Sequence, residues 1–276
     1  MIPLSIAQLT KRYGDRVAVD DFSLDIGRGT VFGLLGRNGA GKTTAIACVL
    51  GLISKTSGKI SLFGERLQPR TFDRIAYVPE MNSLDAWMTT RQHAEFRRRC
   101  FSRFDRTLMN ELIERFEIES DRTLRKLSKG QRQVVALALA FAQRPDLMIL
   151  DEPATGLDPV MQSRLLDTIV STAADGVTVL FSSHQIGHVE RAAERIGIID
   201  AGRLVLEADV DDLRASRFIV EAVFGDGHLE QRYANGDGNA VEAQLRARSA
   251  VTVSRSSMNL EQIFFTTIGE TKERHE

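Results

Sequence analysis

The chain has 276 residues, of which 43% are hydrophobic and 26% are charged. This length fits one large α/β domain or a main domain with a smaller appendage, and the hydrophobic fraction excludes general disorder. The 36 lysines and arginines nearly balance the 37 aspartates and glutamates, which argues against nucleic acid as the main partner. The two cysteines, Cys48 and Cys100, lack the spacing of a metal-ligand pair, so neither a zinc site nor a disulfide framework is expected.

The N-terminal half begins with apolar and polar side chains that alternate with period two over residues 4–26. This pattern predicts short antiparallel strands around a turn at Tyr13-Gly14-Asp15. The stretch TVFGLLG predicts a buried strand, TTAIACVLGL a helix, and GKISLFG and RIAYVPE two more strands. Residues 89–143 are expected to be helical throughout, with charged faces.

From residue 146 onwards, predicted strands alternate with predicted helices. Strands are expected at 146–150 and 177–182, helices at 159–174 and 185–194, and two final strands at IGIID and RLVLEA. This alternation predicts a mainly parallel sheet covered on both faces, and hence an α/β fold. The pattern changes near residue 216, so we expect a small C-terminal extension that is loop-rich before a last helix at 260–268.

The glycine-rich loop GRNGAGKTT, residues 36–44, lies between a predicted strand and a predicted helix and fits G-x-x-x-x-G-K-[ST]. Its glycines let the backbone direct N–H groups at phosphates, and the new helix points its positive end at the same place. Lys42 is expected to reach the β- and γ-phosphates, and the Thr43 hydroxyl to ligate Mg²⁺. An ordinary glycine turn that caps a helix is the alternative.

Polar residues end two further predicted strands. Asp151, at the end of LMILDEP, is expected where the Mg²⁺ of a bound nucleotide lies, and Glu152 is expected to orient or deprotonate an attacking water. His184 ends FSSH and is expected to contact the γ-phosphate from the same sheet edge. A competing metal site of His184 and His188 has no third ligand in the sequence. The other histidines, predicted to lie at the surface, are His93, His228 and His275.

The stretch LSKGQ, residues 127–131, resembles the signature motif of ABC-type ATPases, whose usual form is LSGGQ; Lys129 replaces the first glycine. The other motifs of that family occur in the family's order. Tyr13 resembles the A-loop aromatic residue that stacks on adenine, GRNGAGKTT the Walker A motif and LMILDEP the Walker B motif. TGLD, residues 155–158, resembles the D-loop, and His184 the switch histidine.

The resemblance covers about residues 1–215, as an ATP-binding domain with a helical subdomain at about 85–143, followed by an extension at 216–276. It implies a P-loop NTPase core with a mainly parallel sheet, an N-terminal antiparallel β subdomain, a helical signature subdomain and a small α+β C-terminal extension. It also implies ATP and Mg²⁺ as cofactors. In that family two nucleotide-binding domains pair head to tail, with each ATP between the P-loop of one and the signature of the other.

The family's motifs assign roles to matching residues of this chain. Ser128, Gly130 and Gln131 would donate hydrogen bonds to the γ-phosphate of the partner's ATP. The catalytic residues implied are Lys42, Glu80, Glu152 and His184, and the metal ligands Thr43, Glu80 and Asp151. The remaining nucleotide contacts implied are Tyr13, Gly36, Asn38, Gly39, Ala40, Gly41, Thr44 and Asp158.

A departure from the family occurs at the Q-loop, where glutamine is common and this chain has Glu80. A carboxylate can ligate Mg²⁺ but adds negative charge beside a triphosphate, so we expect retained hydrolysis at an equal or lower rate. Glutamate here, the overall length and the ending SMNLEQIFF resemble the exporter branch called the ABC-2 type.

The resemblance implies a separate transmembrane permease subunit and a second nucleotide-binding subunit, in a homodimer or a heterodimer. The longest apolar runs are about half of the roughly 20 residues that cross a bilayer, so we expect a cytoplasmic chain that reaches the inner face of the cell membrane only through its partner. The expected function is the ATP-hydrolysing subunit of an exporter. The alternatives are an importer ATPase and a soluble ABC ATPase that acts on ribosomes, nucleic acid or another protein.

The docking surface of the family corresponds to about residues 80–126. Trp87, the only tryptophan, is either a core anchor of the helical subdomain or an exposed docking contact. The run Arg97–Arg99 is expected to form a solvated helix face rather than a lipid or partner contact.

Overall fold

The computed structural model describes residues 2–81, 84–236 and 238–273. The chain divides into two compact units, Met1–Leu204 and Val205–Glu276. The first unit carries the P-loop, the Walker B motif, the signature, the D-loop and the switch histidine, whereas the stretch SMNLEQIFF lies in the second. Among the described residues, none of the helices combines the length and the apolar character needed to span a membrane.

The first unit begins with a three-stranded antiparallel sheet. Strand β1 (Leu4–Tyr13) pairs with β2 (Arg16–Ile26) on one side and with β4 (Ser57–Leu62) on the other. The turn between β1 and β2 contains Gly14, whose positive φ of 56° is a conformation that glycine adopts at little cost. The alternating apolar side chains, such as Leu9, lie in the core, which confirms the predicted hairpin.

A six-stranded sheet in the order β5-β6-β7-β3-β8-β9 positions the candidate site. Its strands are β3 (Val31–Leu35), β5 (Ile75–Val78), β6 (Leu147–Leu150), β7 (Thr178–Ser183), β8 (Arg195–Asp200) and β9 (Arg203–Asp209). The strands from β5 to β8 in this order pair in parallel, so their carboxyl ends meet at one edge. Every residue of β3, β6 and β7 is buried, which explains their continuous apolar runs.

The helices of the first unit are α1 (Lys42–Val49), α2 (Thr90–Cys100), α3 (Arg106–Arg115), α4 (Lys129–Ala142), α5 (Pro159–Ala174) and α6 (Ile186–Ala192). The expectation of continuous helix over residues 89–143 is wrong, because the chain leaves the helix after α2 and again between α3 and α4. Local capping explains both restarts. The Asp105 carboxylate accepts a hydrogen bond from the Leu108 N–H at the start of α3, and Ser128 caps α4.

The second unit is a small α+β module. It contains α7 (Val210–Ser216), β10 (Arg217–Phe224), β11 (Leu229–Asn235), α8 (Asn239–Ala247), β12 (Ala250–Ser257) and α9 (Leu260–Glu273). The antiparallel sheet has the order β11-β10-β12, and a core around Val220, Ala222 and Leu245 joins it to α8. The last helix was predicted. The loop-rich interpretation of residues 225–240 missed β11, whose polar side chains gave little strand signal.

Candidate nucleotide-binding and catalytic site

A cavity of about 400 Å³ lies beside the P-loop, and its wall includes residues that follow β6 and β7, namely Glu152 and His184. It brings together most of the site residues predicted from sequence. Those that line it are Asn38, Gly39, Ala40, Gly41, Lys42, Thr43, Thr44, Glu80, Glu152 and His184. Four further lining residues were missed by the sequence reasoning, namely Arg16, Ala18, Arg37 and Thr155.

The P-loop backbone is shaped by its glycines. Gly39 and Gly41 have φ values of 82° and 111°, in the left-handed region that favours glycine. A Cβ atom at Gly41 would lie 2.6 Å from the Ala18 carbonyl oxygen, so the β-hairpin and the loop approach each other closely there. Helix α1 begins at Lys42, and its first N–H groups therefore lie beside the same cavity.

Lys42 is buried although it carries a charge, with 6% of its surface exposed. Its Nζ atom donates hydrogen bonds to the carbonyl oxygens of Gly36 at 2.7 Å and Arg37 at 3.3 Å. The same atom lies 3.2 Å from Oε1 of Glu152. These oxygen atoms compensate the buried ammonium. Phosphate oxygens could take their place, as expected for the lysine of a P-loop.

The two consecutive acids of LMILDEP point to different neighbours. Asp151 is fully buried; its Oδ1 accepts a hydrogen bond from Ser182 Oγ at 2.6 Å, while Oδ2 has no hydrogen-bond partner among the described residues. Glu152 has a positive φ of 48°, which turns the chain at the end of β6. Its Oε2 lies 2.8 Å from Nδ1 of His184. Oε1 is within ion-pair distance of Lys42 but makes no hydrogen bond with it or with any other described residue. Oε1 can therefore still accept a hydrogen bond from a further donor.

The donor set fits a Mg²⁺ ion carried by a nucleotide. A buried carboxylate oxygen without a partner is costly unless a cation or a water satisfies it, and Asp151 Oδ2 is such an atom. Thr43 and Glu80 supply oxygens in the cavity wall itself, whereas Asp151 is not among the residues that line it. Burial, and secondarily the charge of Asp151, raise the pKa of the nearby Tyr77 phenol to about 12, which keeps it neutral.

The histidines separate into site and structural residues. Burial lowers the pKa of His188, whose Nε2 lies 3.3 Å from Gln162 Oε1. Within the described residues no cluster of three metal-ligating side chains occurs, so the geometry gives no support to a metal site of His184 and His188. The surface prediction for His93 is wrong, because its ring is buried with Nε2 3.0 Å from the Asp85 carbonyl oxygen. Of the other two, His228 is exposed and His275 lies outside the described residues.

Tyr13 is not among the residues that line the cavity. Its ring is 51% exposed, and the Lys11 ammonium lies 4.5 Å from the ring centroid. Its cross-strand neighbour Arg16 lines the cavity instead, with Ala18. In the sequence, Arg16 and Ala18 could have been noticed because they follow closely after the turn at Tyr13-Gly14-Asp15. Their approach to the P-loop, however, depends on how the hairpin packs against that loop.

The signature residues lie at the start of α4. Ser128 and Gln131 form a capping box, in which the Gln131 N–H donates to Ser128 Oγ at 3.1 Å and the Ser128 N–H donates to Gln131 Oε1 at 2.9 Å. A Cβ atom at Gly130 would lie 2.8 Å from the Gly156 carbonyl oxygen, so the signature and the D-loop pack closely. Neither Gly36 nor Ser128, Gly130 or Gln131 lines the cavity. Asp158 uses Oδ1 to accept the N–H groups of Val160 and Met161 and so caps α5.

The predicted docking region has an exposed tryptophan. Trp87 is 71% exposed and packs beneath the Arg125 guanidinium, whose carbon lies 4.9 Å from the ring centroid, so the core alternative is wrong. Arg98 and Arg99 are exposed and pair with Glu95, as expected for a solvated face. Arg97 differs, because it is half-buried and donates to Gln143 Oε1.

Known proteins resemble this chain in sequence and in fold. The model of the family described as ABC transporter matches residues 19–155. The uncharacterized ABC transporter ATP-binding protein YhaQ of Bacillus subtilis (strain 168) is 38% identical over 218 residues, which cover 77% of this chain and 73% of that protein. The chain belongs to the ABC transporter family of ATP-binding proteins. Members of this family are typically ATPases, and their ATP-binding domains bind nucleotide.

Two further comparisons extend the family assignment. A Nod factor export ATP-binding protein I, from Burkholderia thailandensis, is 33% identical over 270 residues, which cover 95% of this chain and 85% of that protein. A solved structure, described as that of the ATP binding subunit of an ABC transporter, is 30% identical and superimposes with a TM-score of 0.70. It covers 78% of this chain and 92% of its own, which agrees with the predicted P-loop ABC fold.

Proposed function

We propose that this chain is the subunit that binds Mg²⁺-ATP and hydrolyses it to drive a membrane exporter. The observation that carries the proposal is the carboxylate of Glu152, which has Lys42 on one oxygen and His184 on the other in the wall of the P-loop cavity. This arrangement places a base, a phosphate-binding cation and a polar side chain that can contact a γ-phosphate within one small volume.

The chain's own residues account for each part of the reaction. The P-loop N–H groups and Lys42 hold the phosphates, and Lys42 exchanges the Glu152 oxygen for phosphate oxygens. Glu152 Oε1 then accepts a proton from the attacking water, while His184 holds Oε2 in place. Thr43, Asp151 and Glu80 would hold the Mg²⁺, which neutralises charge on the phosphates when bound.

A second nucleotide-binding subunit is part of the proposal. The signature lies in the same compact unit as the P-loop, yet its residues do not line the cavity. The first-turn N–H groups of Lys129 and Gly130 have no partner in the part of the chain that the structure describes. Head-to-tail pairing, either with a second copy or with a different subunit, would supply a partner's γ-phosphate to these donors.

The exporter assignment rests on resemblance. One of the relatives is named a Nod factor export protein, and Glu80 and SMNLEQIFF resemble the ABC-2 exporter branch. ATP-binding subunits of ABC transporters work with transmembrane permease components. We therefore assign the chain to the cytoplasmic face of the cell membrane, held there by a permease that selects the substrate. The exposed Trp87 is the expected docking contact.

Co-expression with a multi-span membrane protein, chosen from the reading frames that neighbour this chain's own, tests the proposal. The two proteins should co-purify, and the complex should hydrolyse ATP faster than the isolated chain.

Glu152→Gln should abolish turnover and retain an ATP-dependent dimer in light scattering, whereas Lys42→Ala should lose nucleotide binding. Native-like turnover in Glu152→Gln would contradict the catalytic assignment. Stimulation by nucleic acid without a membrane partner would contradict the exporter assignment.

A further inference from the structure

One buried hydroxyl contacts both acids of the Walker B motif. Ser182, near the end of β7, is fully buried. Its Oγ donates a hydrogen bond to Asp151 Oδ1 at 2.6 Å and accepts the backbone N–H of Glu152 at 2.9 Å. These two hydrogen bonds use the single proton and a lone pair of the hydroxyl. Ser182 therefore bridges two residues to which the proposed mechanism assigns different tasks.

The first hydrogen bond determines which carboxylate oxygen of Asp151 remains available. Oδ1 is occupied by Ser182, and Oδ2 is buried without a partner among the described residues. A carboxylate that loses its only donor in a buried site rotates towards other donors or takes up water. The Ser182 hydroxyl thus holds Oδ2 in the orientation in which it would reach the metal or a metal-bound water.

The second hydrogen bond holds the backbone turn at Glu152. The φ of 48° lies in the left-handed region, which a residue with a Cβ adopts at a cost and keeps only where its surroundings fix it. This turn directs the Glu152 side chain towards Lys42 and His184, and the side chain of the preceding Asp151 towards Ser182. A hydrogen bond to the Glu152 N–H is a direct constraint on that turn.

We propose that Ser182 is a positioning residue for ATP hydrolysis, which orients the Asp151 carboxylate for Mg²⁺ and fixes the turn that directs Glu152 at the attacking water. The proposal rests on the function proposed above. It assigns Ser182 no contact with nucleotide, since Ser182 does not line the cavity.

The competing interpretation is that Ser182 merely fills space in a buried strand. The neighbouring Ser183 offers a matched control, because it is 2% exposed and lies on the same strand. The Ser183 hydroxyl accepts the Gln185 N–H at 2.9 Å and donates to the Gln185 carbonyl oxygen at 3.2 Å. Within the described residues it has no hydrogen bond to either acid, so Ser183→Ala removes a similar buried hydroxyl without touching them.

The experiment compares Ser182→Ala, Ser182→Cys and Ser183→Ala in the full chain. Affinity for the non-hydrolysable analogue AMP-PNP is measured by calorimetry in EDTA and in Mg²⁺, and kcat and KM are measured for ATP. In EDTA, both Ser182 variants should bind AMP-PNP within about twofold of the unmodified chain. The gain in affinity that Mg²⁺ produces should be about tenfold smaller in the variants, because a hydrogen bond to a charged group is lost. Their kcat should fall by roughly 10- to 100-fold, with a smaller change in KM. Ser183→Ala should match the unmodified chain.

An equal loss of affinity in EDTA and in Mg²⁺, or the same loss in Ser183→Ala, would overturn the proposal in favour of a structural role. Unchanged kcat and Mg²⁺ response would overturn it as well. If Ser182→Ala does not fold, Ser182→Cys decides, because a thiol has similar volume but is a weak donor. An unmodified chain that neither binds nor hydrolyses ATP refutes the proposed function. If that chain is active and the Ser182 variants are equally active, only the positioning role fails.

Discussion

Replacement of Glu152 by glutamine tests whether nucleotide and Glu152 compete for Lys42. Nζ of Lys42 lies 3.2 Å from Oε1 of Glu152, and both side chains are less than one tenth exposed. At this distance and an effective dielectric constant of about 20, the Coulomb attraction is about 5 kcal/mol. Desolvation of the two charges offsets much of it, so the net contribution is smaller. Glutamine keeps the shape of the side chain but removes its charge, so Lys42 is left with neutral acceptors such as the carbonyl oxygens of Gly36 and Arg37.

Phosphate oxygens that bind Lys42 must displace Glu152 in the unmodified chain but displace no charge in Glu152→Gln. We expect the variant to bind ADP about tenfold more tightly, which corresponds to about 1.4 kcal/mol. Without nucleotide the variant should be less stable to urea by about 1–3 kcal/mol, because a buried ammonium loses its counter-ion. The two effects have one cause, so they should appear together.

Calorimetric titration with ADP in EDTA measures the affinity without hydrolysis or metal. His184→Ala is the control, because it removes the neighbour of Oε2 and leaves the Lys42 ion pair in place. That variant should bind ADP as the unmodified chain does. Equal or weaker ADP binding by Glu152→Gln would refute the competition.

Three further substitutions test other parts of the site. Gly130→Ala places a methyl group 2.8 Å from the Gly156 carbonyl oxygen, so ATP turnover should fall at least about tenfold while ADP affinity stays within about twofold; lost ADP binding would contradict this. Trp87→Ala should cost less than about 1 kcal/mol in urea unfolding, since Trp87 is 71% exposed and the Arg125 guanidinium packs on its ring; a cost of about 3–5 kcal/mol would indicate a core role. Lys129→Gln should stabilise the start of α4 by about 0.5 kcal/mol and weaken the ATP-dependent dimer several-fold; an unchanged dimer would make the charge incidental.

Much of the cavity could be predicted because its parts follow buried strands at fixed positions. The P-loop follows β3, Glu152 follows β6 and His184 follows β7, and parallel pairing brings these ends to one edge. Apolar runs identify such strands, and the polar residue directly after each run identifies the edge. Motif spacing and strand burial are both local properties of the sequence, so the sequence alone was sufficient here.

Other parts depend on contacts between distant segments. Arg16 reaches the cavity because the hairpin packs against Gly41, and no local pattern specifies that approach. In the sequence, Ser182 has no feature that distinguishes it from other small strand residues. Its hydrogen bond with the Glu152 N–H is apparent only in the structure. His93 is buried with the Asp85 carbonyl oxygen beside its ring, and the polar sequence around it indicates neither the burial nor the contact.

The polar start of α4 contributes residues to the proposed site that do not line this chain's own cavity. Its capping box satisfies the N–H groups of Ser128 and Gln131 internally, which leaves those of Lys129 and Gly130 without partners in the described chain. A glycine is needed at position 130 because the Gly156 carbonyl oxygen lies too close for a side chain. The same contact ties the signature to the D-loop, which begins three residues after Glu152 along the chain. A γ-phosphate bound at the signature would therefore act on the loop that continues from Glu152, the proposed base, and the two sites of a head-to-tail pair would be coupled through Gly130 and Gly156.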